Sequence, residues 1–207
     1  MKKLFFIASL FALFINNTNA QGSDKLSLGL KIGTNYSNVY DSQGETFQAD
    51  AKFGFVAGGF LQIPIGELFG VQPEVLFSQK GFKSTGSILG ANYSLTRTTN
   101  YIDVPLMFVV KPAGFISILG GPMYSYLLKQ RDVFDGGTIT ADQQKEFDND
   151  NIRKNTFGFT GGLDINVQNV VIGARLNWDV KNNNGDGTST TPRYKNRWVQ
   201  VSLGLRF

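Results

Sequence analysis

Arg197-Trp198-Val199-Gln200-Val201-Ser202-Leu203-Gly204-Leu205-Arg206-Phe207 is the stretch on which the reading of this chain turns. Val199, Val201, Leu203, Leu205 and Phe207 take the odd positions; Trp198, Gln200, Ser202, Gly204 and Arg206 take the even ones. Successive side chains of a strand point to opposite faces, so this segment has one apolar face and one mostly polar or small face. A half-buried strand of a water-soluble sheet alternates in the same way. Recurrence of the pattern, and the way its copies are joined, separate the two cases.

The pattern recurs upstream. Leu26, Leu28, Leu30, Ile32, Thr34 and Tyr36 share one face, against Ser27, Gly29, Lys31, Gly33, Asn35 and Ser37. Residues 53–63, 71–78, 101–111, 156–166 and 170–179 alternate likewise, while 115–128 are apolar on both faces and leave their phase open. With the terminal segment these make eight candidate strands, each near the roughly ten residues a tilted strand needs to cross a bilayer. The connections sort by length. Those at 38–52, 83–99, 129–154 and 181–196 are long; those at 64–70, 111–114 and 167–169 are short. Strict alternation of long and short puts every long loop at one end of an antiparallel sheet and both termini at the other. The expected fold is therefore all-β: an eight-stranded antiparallel up-and-down transmembrane barrel with long extracellular loops and short periplasmic turns.

Charge placement agrees. The presumed inner face carries Lys31, Glu74, Lys80, Asp103, Lys111, Asp164, Arg175, Asp179 and Arg206, whereas the centres of the outer faces carry almost none. A charge facing lipid at mid-membrane costs about 2–4 kcal/mol. Inside a narrow barrel the two signs must pair, because a lone buried charge is far costlier than a matched pair. Glycines on the same face (Gly29, Gly33, Gly54, Gly58, Gly158, Gly162, Gly204) are expected to leave room for long side chains. Tyr36, Phe69, Tyr101, Tyr124, Trp178 and Phe207, near predicted strand ends, are candidates for interfacial girdles. Pro73, Pro105 and Pro122 fall inside strands, where they cannot donate to a ladder, so bulges or local breaks are expected there.

The amino terminus has the pattern of a secretory leader. Lys2-Lys3 precedes an apolar run from Leu4 to Ile15, and Thr18-Asn19-Ala20 ends on a small residue before Gln21. Residues 1–20 are read as the signal peptide and 21–207 as the barrel domain, with export to the cell outer membrane. Without Lys2 and Lys3 the chain keeps 18 Lys and Arg against 16 Asp and Glu. This near balance, with no basic run, gives no sign of a nucleic-acid partner. The chain has no Cys and no His. Disulfides and lipoprotein anchoring are excluded, and the usual metal ligands and the usual general base are missing. No cofactor, metal or catalytic set is expected. Glu74 and Asp103 are read as members of an ion-pair network with Lys31, Lys80 or Arg206 rather than as an acid–base pair. Asp148-Asn149-Asp150-Asn151 and Asn182-Asn183-Asn184-Gly185-Asp186-Gly187 have the alternating oxygens that suit Ca²⁺, but turn composition explains both. Thr140-Ala141-Asp142-Gln143 has a capping-box pattern, which predicts a short helix in the third long loop.

Gly29-Leu30-Lys31-Ile32-Gly33-Thr34-Asn35, Pro73-Glu74-Val75, Gln79-Lys80-Gly81, Tyr101-Ile102-Asp103-Val104-Pro105-Leu106, Gly121-Pro122-Met123-Tyr124 and the terminal Phe207 together resemble the outer-membrane β-barrel (porin-family, PorT-like) proteins of Bacteroidota. The resemblance covers essentially the whole mature chain. It implies an eight-stranded barrel set in outer-membrane lipid and delivered by the barrel-assembly machinery, with Phe207 as part of the assembly signal. It implies little about activity. The expected role is structural or surface-interacting, carried by a monomer. A small porin or secretion-associated barrel is the first alternative, although eight strands enclose an interior that side chains just fill. An exported lipid-binding barrel is the second, and needs the inverse placement of polar and apolar faces.

Overall fold

The computed structural model describes residues 26–41, 49–88, 91–135, 140–145, 153–183 and 194–207. Their strands are β1 (Ser27–Asp41), β2 (Ala49–Ile65), β3 (Phe69–Ile88), β4 (Ala91–Ala113), β5 (Ile116–Asp135), β6 (Thr140–Lys145), β7 (Asn155–Val167), β8 (Val170–Asp179) and β9 (Tyr194–Arg206). All pairings are antiparallel, in the order β4-β3-β2-β1-β9-β8-β7-β5, and pairing of β4 with β5 closes the ring. Eight strands thus form a closed up-and-down barrel. β6 lies outside it, paired only with the far end of β5. The described residues contain no helix.

Side-chain direction follows the alternation. Ile32, Phe55, Phe108, Phe159, Leu176 and Leu203 project outward with about half their surface or more exposed, while Lys31, Asn35, Lys80, Asp103, Thr156 and Gln200 are buried inside. The barrel is apolar outside and polar inside, the inverse of a water-soluble protein. The phase of the fifth segment is now defined: Ser117, Leu119, Met123, Ser125 and Leu127 point inward. A bulge at Leu128 then hands the inner face to Gln130 and Asp132. Met107, Val109 and Leu119 form a small apolar cluster within the otherwise polar interior.

Several expectations need correction. The segment 83–99 is mostly strand, because β3 runs to Ile88 and β4 starts at Ala91; β5 likewise runs on to Asp135. The capping-box segment is strand β6, so pairing with β5 overrides the local helix signal. The chain between β4 and β5 reverses at Gly114–Phe115, and 111–114 is instead the site of a bulge near Pro112. At the three interior prolines the ladders skip residue pairs without any register shift, so of the two expected outcomes, bulge or local break, the structure has the break. The true bulge between β2 and β3 falls between Ala51 and Val56. Most inner glycines do not make space for long side chains. A Cβ on Gly33 would lie 2.1 Å from the Val201 carbonyl oxygen, and one on Gly58 2.1 Å from that of Val75. These glycines let neighbouring strands press together where the sheet coils tightly. Gly162 does both, since its Cβ would also meet the Arg175 side chain at 2.9 Å.

The coiling is tightest beside the β2 bulge. There β1 reaches past β2 to β3: Asn35 Nδ2 donates to Ser78 Oγ at 2.9 Å and to the Gln79 carbonyl at 3.1 Å. Ser37 Oγ accepts from the Gly81 amide at 2.8 Å and lies 2.9 Å from its carbonyl. Gly54, between them, has no side chain to block the reach.

Outward aromatics gather toward the two ends. Tyr36 meets Phe53 with ring centroids 4.8 Å apart, Tyr124 meets Phe157 at 5.4 Å, and Phe159 meets Trp178 at 6.2 Å. These lie toward the end away from the termini; Phe69, Phe115 and Phe207 are exposed at the other. Tyr101 is not among them, for it is 1% exposed and points into the lumen.

Candidate functional site

Among the described residues, the buried charged side chains gather in the lumen. Nearest the short turns, Lys31 Nζ from β1 lies 2.5 Å from Glu74 Oε2 on β3, and Gln72 Nε2 donates to Glu74 Oε1 at 2.8 Å. Arg175 on β8 grips Asp164 on β7 through its two terminal guanidinium nitrogens, Nη1 to Oδ1 at 2.7 Å and Nη2 to Oδ2 at 2.8 Å. Its Nη1 also donates to the Leu163 carbonyl at 2.9 Å. Both pairs are almost wholly buried. Glu74, Asp103, Arg175 and Gln200 border a gap that holds about one water molecule.

Next along the axis, Lys80 of β3 donates to Asp103 Oδ1 at 2.9 Å. The same ammonium sits 3.6 Å from the ring centroid of Trp198 and 4.4 Å from that of Tyr101. A carboxylate and two aromatic faces therefore share one desolvated cation, an arrangement that strengthens cation–π attraction. Asp179 is buried on β8 and accepts from Asn196 Nδ2 at 2.6 Å.

A third group lies toward the far end. Arg97 on β4 makes a bidentate contact with Asp132 on β5, Nε to Oδ1 and Nη2 to Oδ2, both at 2.7 Å. Gln130 donates to Asp132 at 2.9 Å, and Arg97 Nη1 donates to the Tyr194 hydroxyl at 2.7 Å. The planar fork of Arg suits this two-point grip. Neither residue stands in a strand expected from the sequence, so the pair is absent from the expected ion pairs. The signal was present: Arg97 lies on the odd-numbered face that continues through Thr99, Tyr101 and Asp103.

Of the nine residues proposed from sequence, six form direct ion pairs: Lys31 with Glu74, Lys80 with Asp103, and Arg175 with Asp164. Asp179 is buried in the same lumen but bonds Asn196. Arg206 caps the short-turn end instead, donating to Gln62 Oε1 at 2.9 Å and to the Gln168 carbonyl at 3.0 Å. Lys111 is half-buried beside the β4 bulge at that end, its amide bonded to the Leu68 carbonyl. Phe207 faces outward, 56% exposed, with its amide bonded to the Leu28 carbonyl. The leader 1–20, Asp148–Asn151 and Asn184–Gly187 lie outside the described residues; among those described, no group of acidic side chains is arranged to hold a metal ion.

A search of the curated proteins found no match. Among solved structures, Ail, the attachment invasion locus protein of Yersinia pestis, is 16% identical, with 87% of this chain and 98% of Ail covered and a TM-score of 0.50. Neisserial surface protein A is 14% identical over 87% of this chain and 97% of its own, at a TM-score of 0.47. OprG from Pseudomonas aeruginosa is 13% identical over 91% and 99%, at 0.43. At such identities the likeness to Ail concerns the fold alone. The family described as outer membrane protein beta-barrel domain matches residues 19–185. With that match over most of its length and a closed barrel that is apolar outside and charged inside, the chain belongs to the outer membrane protein beta-barrel domain family.

Proposed function

We propose that this barrel has a structural or surface-interaction role in the outer membrane, with a closed interior and its long connections turned outward. The carrying observation is the lumen. Three buried ion pairs, the Arg97–Asp132 fork and the cage of Trp198 and Tyr101 around Lys80 occupy successive levels of it, which supports an interior filled by side chains. The gap between them beside Asp103 and Gln200 has room for about one water molecule, which supports a closed interior. A pore needs an open lumen, and a lipid-binding barrel needs an apolar one. Export by residues 1–20, assembly guided by Phe207 and a monomeric state belong to the same reading. So does the finer kinship with PorT-like barrels of Bacteroidota, which rests on the motifs around Lys31, Glu74, Asp103 and Pro122.

Gel mobility of the detergent-extracted protein, with and without boiling, tests the reading. A barrel closed by strand pairing stays folded in cold detergent and migrates differently from the boiled chain. Identical mobility, or recovery from the soluble periplasmic fraction without detergent, would overturn it.

A further inference from the structure

One sector of the outer surface is both basic and aromatic. Arg197 on β9 lies directly across the ladder from Trp178 on β8, and its guanidinium stands 5.6 Å from the Tyr40 ring centroid. Lys195, two residues on along β9, lies across from Tyr40 itself. The Lys181 ammonium stands 5.5 Å from the ring of Phe157, which is half exposed on the outer face. These cations lie at the level of the aromatic pairs that end the apolar belt, on the side away from the termini. None of the three forms an ion pair among the described residues. Asp179, next to Trp178, is 1% exposed and turned inward, bonded to Asn196.

We propose that Lys181, Lys195 and Arg197 form a binding face for the phosphate groups of lipid headgroups in the outer leaflet. A lipid seated against Leu176, Val199 and Val201 would have its acyl chains on the apolar belt and its headgroup beside these cations. Stacking on Phe157 and Tyr40 holds Lys181 and Arg197 at the boundary, which lowers the ordering entropy lost when phosphate binds. Arg also offers a bidentate fork to phosphate. Lys83 differs in having the exposed Asp50 directly across its ladder.

This inference rests on the membrane reading above, and the test separates the two. The refolded full chain is placed in detergent with defined lipids, and bound lipid is counted by native mass spectrometry, comparing phosphatidic acid with phosphatidylcholine. The unaltered chain should retain phosphatidic acid preferentially. With its three basic residues neutralised, the variant Lys181→Gln/Lys195→Gln/Arg197→Gln should lose that preference by tenfold or more. Lys52→Gln/Lys83→Gln/Lys129→Gln, with the same change in net charge, should keep it, as should Lys181→Arg/Lys195→Arg/Arg197→Lys. Equal loss in both Gln variants, no preference in the unaltered chain, or full displacement by inorganic phosphate would overturn the proposal. Boiling-dependent mobility, checked in every sample, reports the barrel separately.

Discussion

At the residue scale, Lys80 and Asp103 are the most exacting pair, since neither has appreciable access to water. Removing one partner leaves the other charge buried without its counterion, which costs about 3–5 kcal/mol, whereas replacing both with apolar side chains is far milder. Asp103→Leu alone should therefore lower stability by that amount, and Lys80→Met/Asp103→Leu by clearly less. Urea unfolding in micelles, followed by Trp fluorescence, reads the difference; Trp198 stacks directly on the Lys80 ammonium. Equal losses would mean that the two charges are not coupled. Two adjacent glycines give a second contrast. A Cβ at Gly58 would strike the Val75 carbonyl oxygen at 2.1 Å, whereas at Gly59 its nearest neighbour would be 3.5 Å away. Gly58→Ala should destabilise by about 1–3 kcal/mol, as overpacking does, and Gly59→Ala by no more than about 0.5 kcal/mol, as an open surface site does. Their boiling-dependent mobility over a urea series checks both. Alternation puts Gly58 inside and Gly59 outside, but crowding by a neighbouring backbone depends on how tightly the sheet coils and leaves no trace in alternation.

At the element scale, the outer face of β8 sets a depth ruler. Ala174 is exposed near its centre, and Val180 is exposed just past Trp178, at the rim. Ala174→Arg should cost about 2–4 kcal/mol and Val180→Arg about 0–1 kcal/mol, since the penalty for a lipid-facing charge falls from the bilayer midplane toward the interface. Refolding into lipid vesicles with a urea series measures both, and equal costs would place the membrane elsewhere. Legibility in sequence follows the same logic. Each strand that has a lipid face and a lumen face has two solvents to distinguish, so Leu26 to Tyr36 and Val170 to Trp178 read cleanly. The outer parts of β3, β4 and β5 extend beyond the lipid. There Thr96, Thr98 and Asn100 stand where lipid-facing strands carry Val or Phe, and the composition reads as loop although the ladder continues. Pairing over residues 83–99 hid Arg97, and with it the upper ion pair. The inward turn of Trp198 was implied by its even position. That of Tyr101, odd like Asp103, was legible too, but its place near a strand end favoured a girdle reading. The capping-box pattern at Thr140 failed for a different reason: a few local hydrogen bonds cannot outweigh six ladder positions against β5.

At the scale of the whole molecule, eight strands fix a bore narrow enough for side chains to fill it. The ion pairs line that bore: three join neighbouring strands, β3 to β4, β7 to β8 and β4 to β5, and one reaches from β1 past β2 to β3. Burial keeps these contacts little screened by salt, so on the proposed reading the lumen stays closed in dilute and concentrated buffer alike. In planar lipid bilayers the unaltered protein should therefore give no stable large conductance steps at any salt concentration. Widening the cage around Lys80 by Trp198→Ala/Tyr101→Ala removes two rings from one level of the bore, and should introduce small, flickering openings if packed side chains are the barrier. The gap at that level then joins the existing one beside Asp103 and Gln200. Stable openings in the unaltered protein would mean that the lumen rearranges in the membrane and would favour the small-porin reading. A silent double variant whose mobility still changes on boiling would place the barrier elsewhere, at the Arg97–Asp132 fork or among the connections above it.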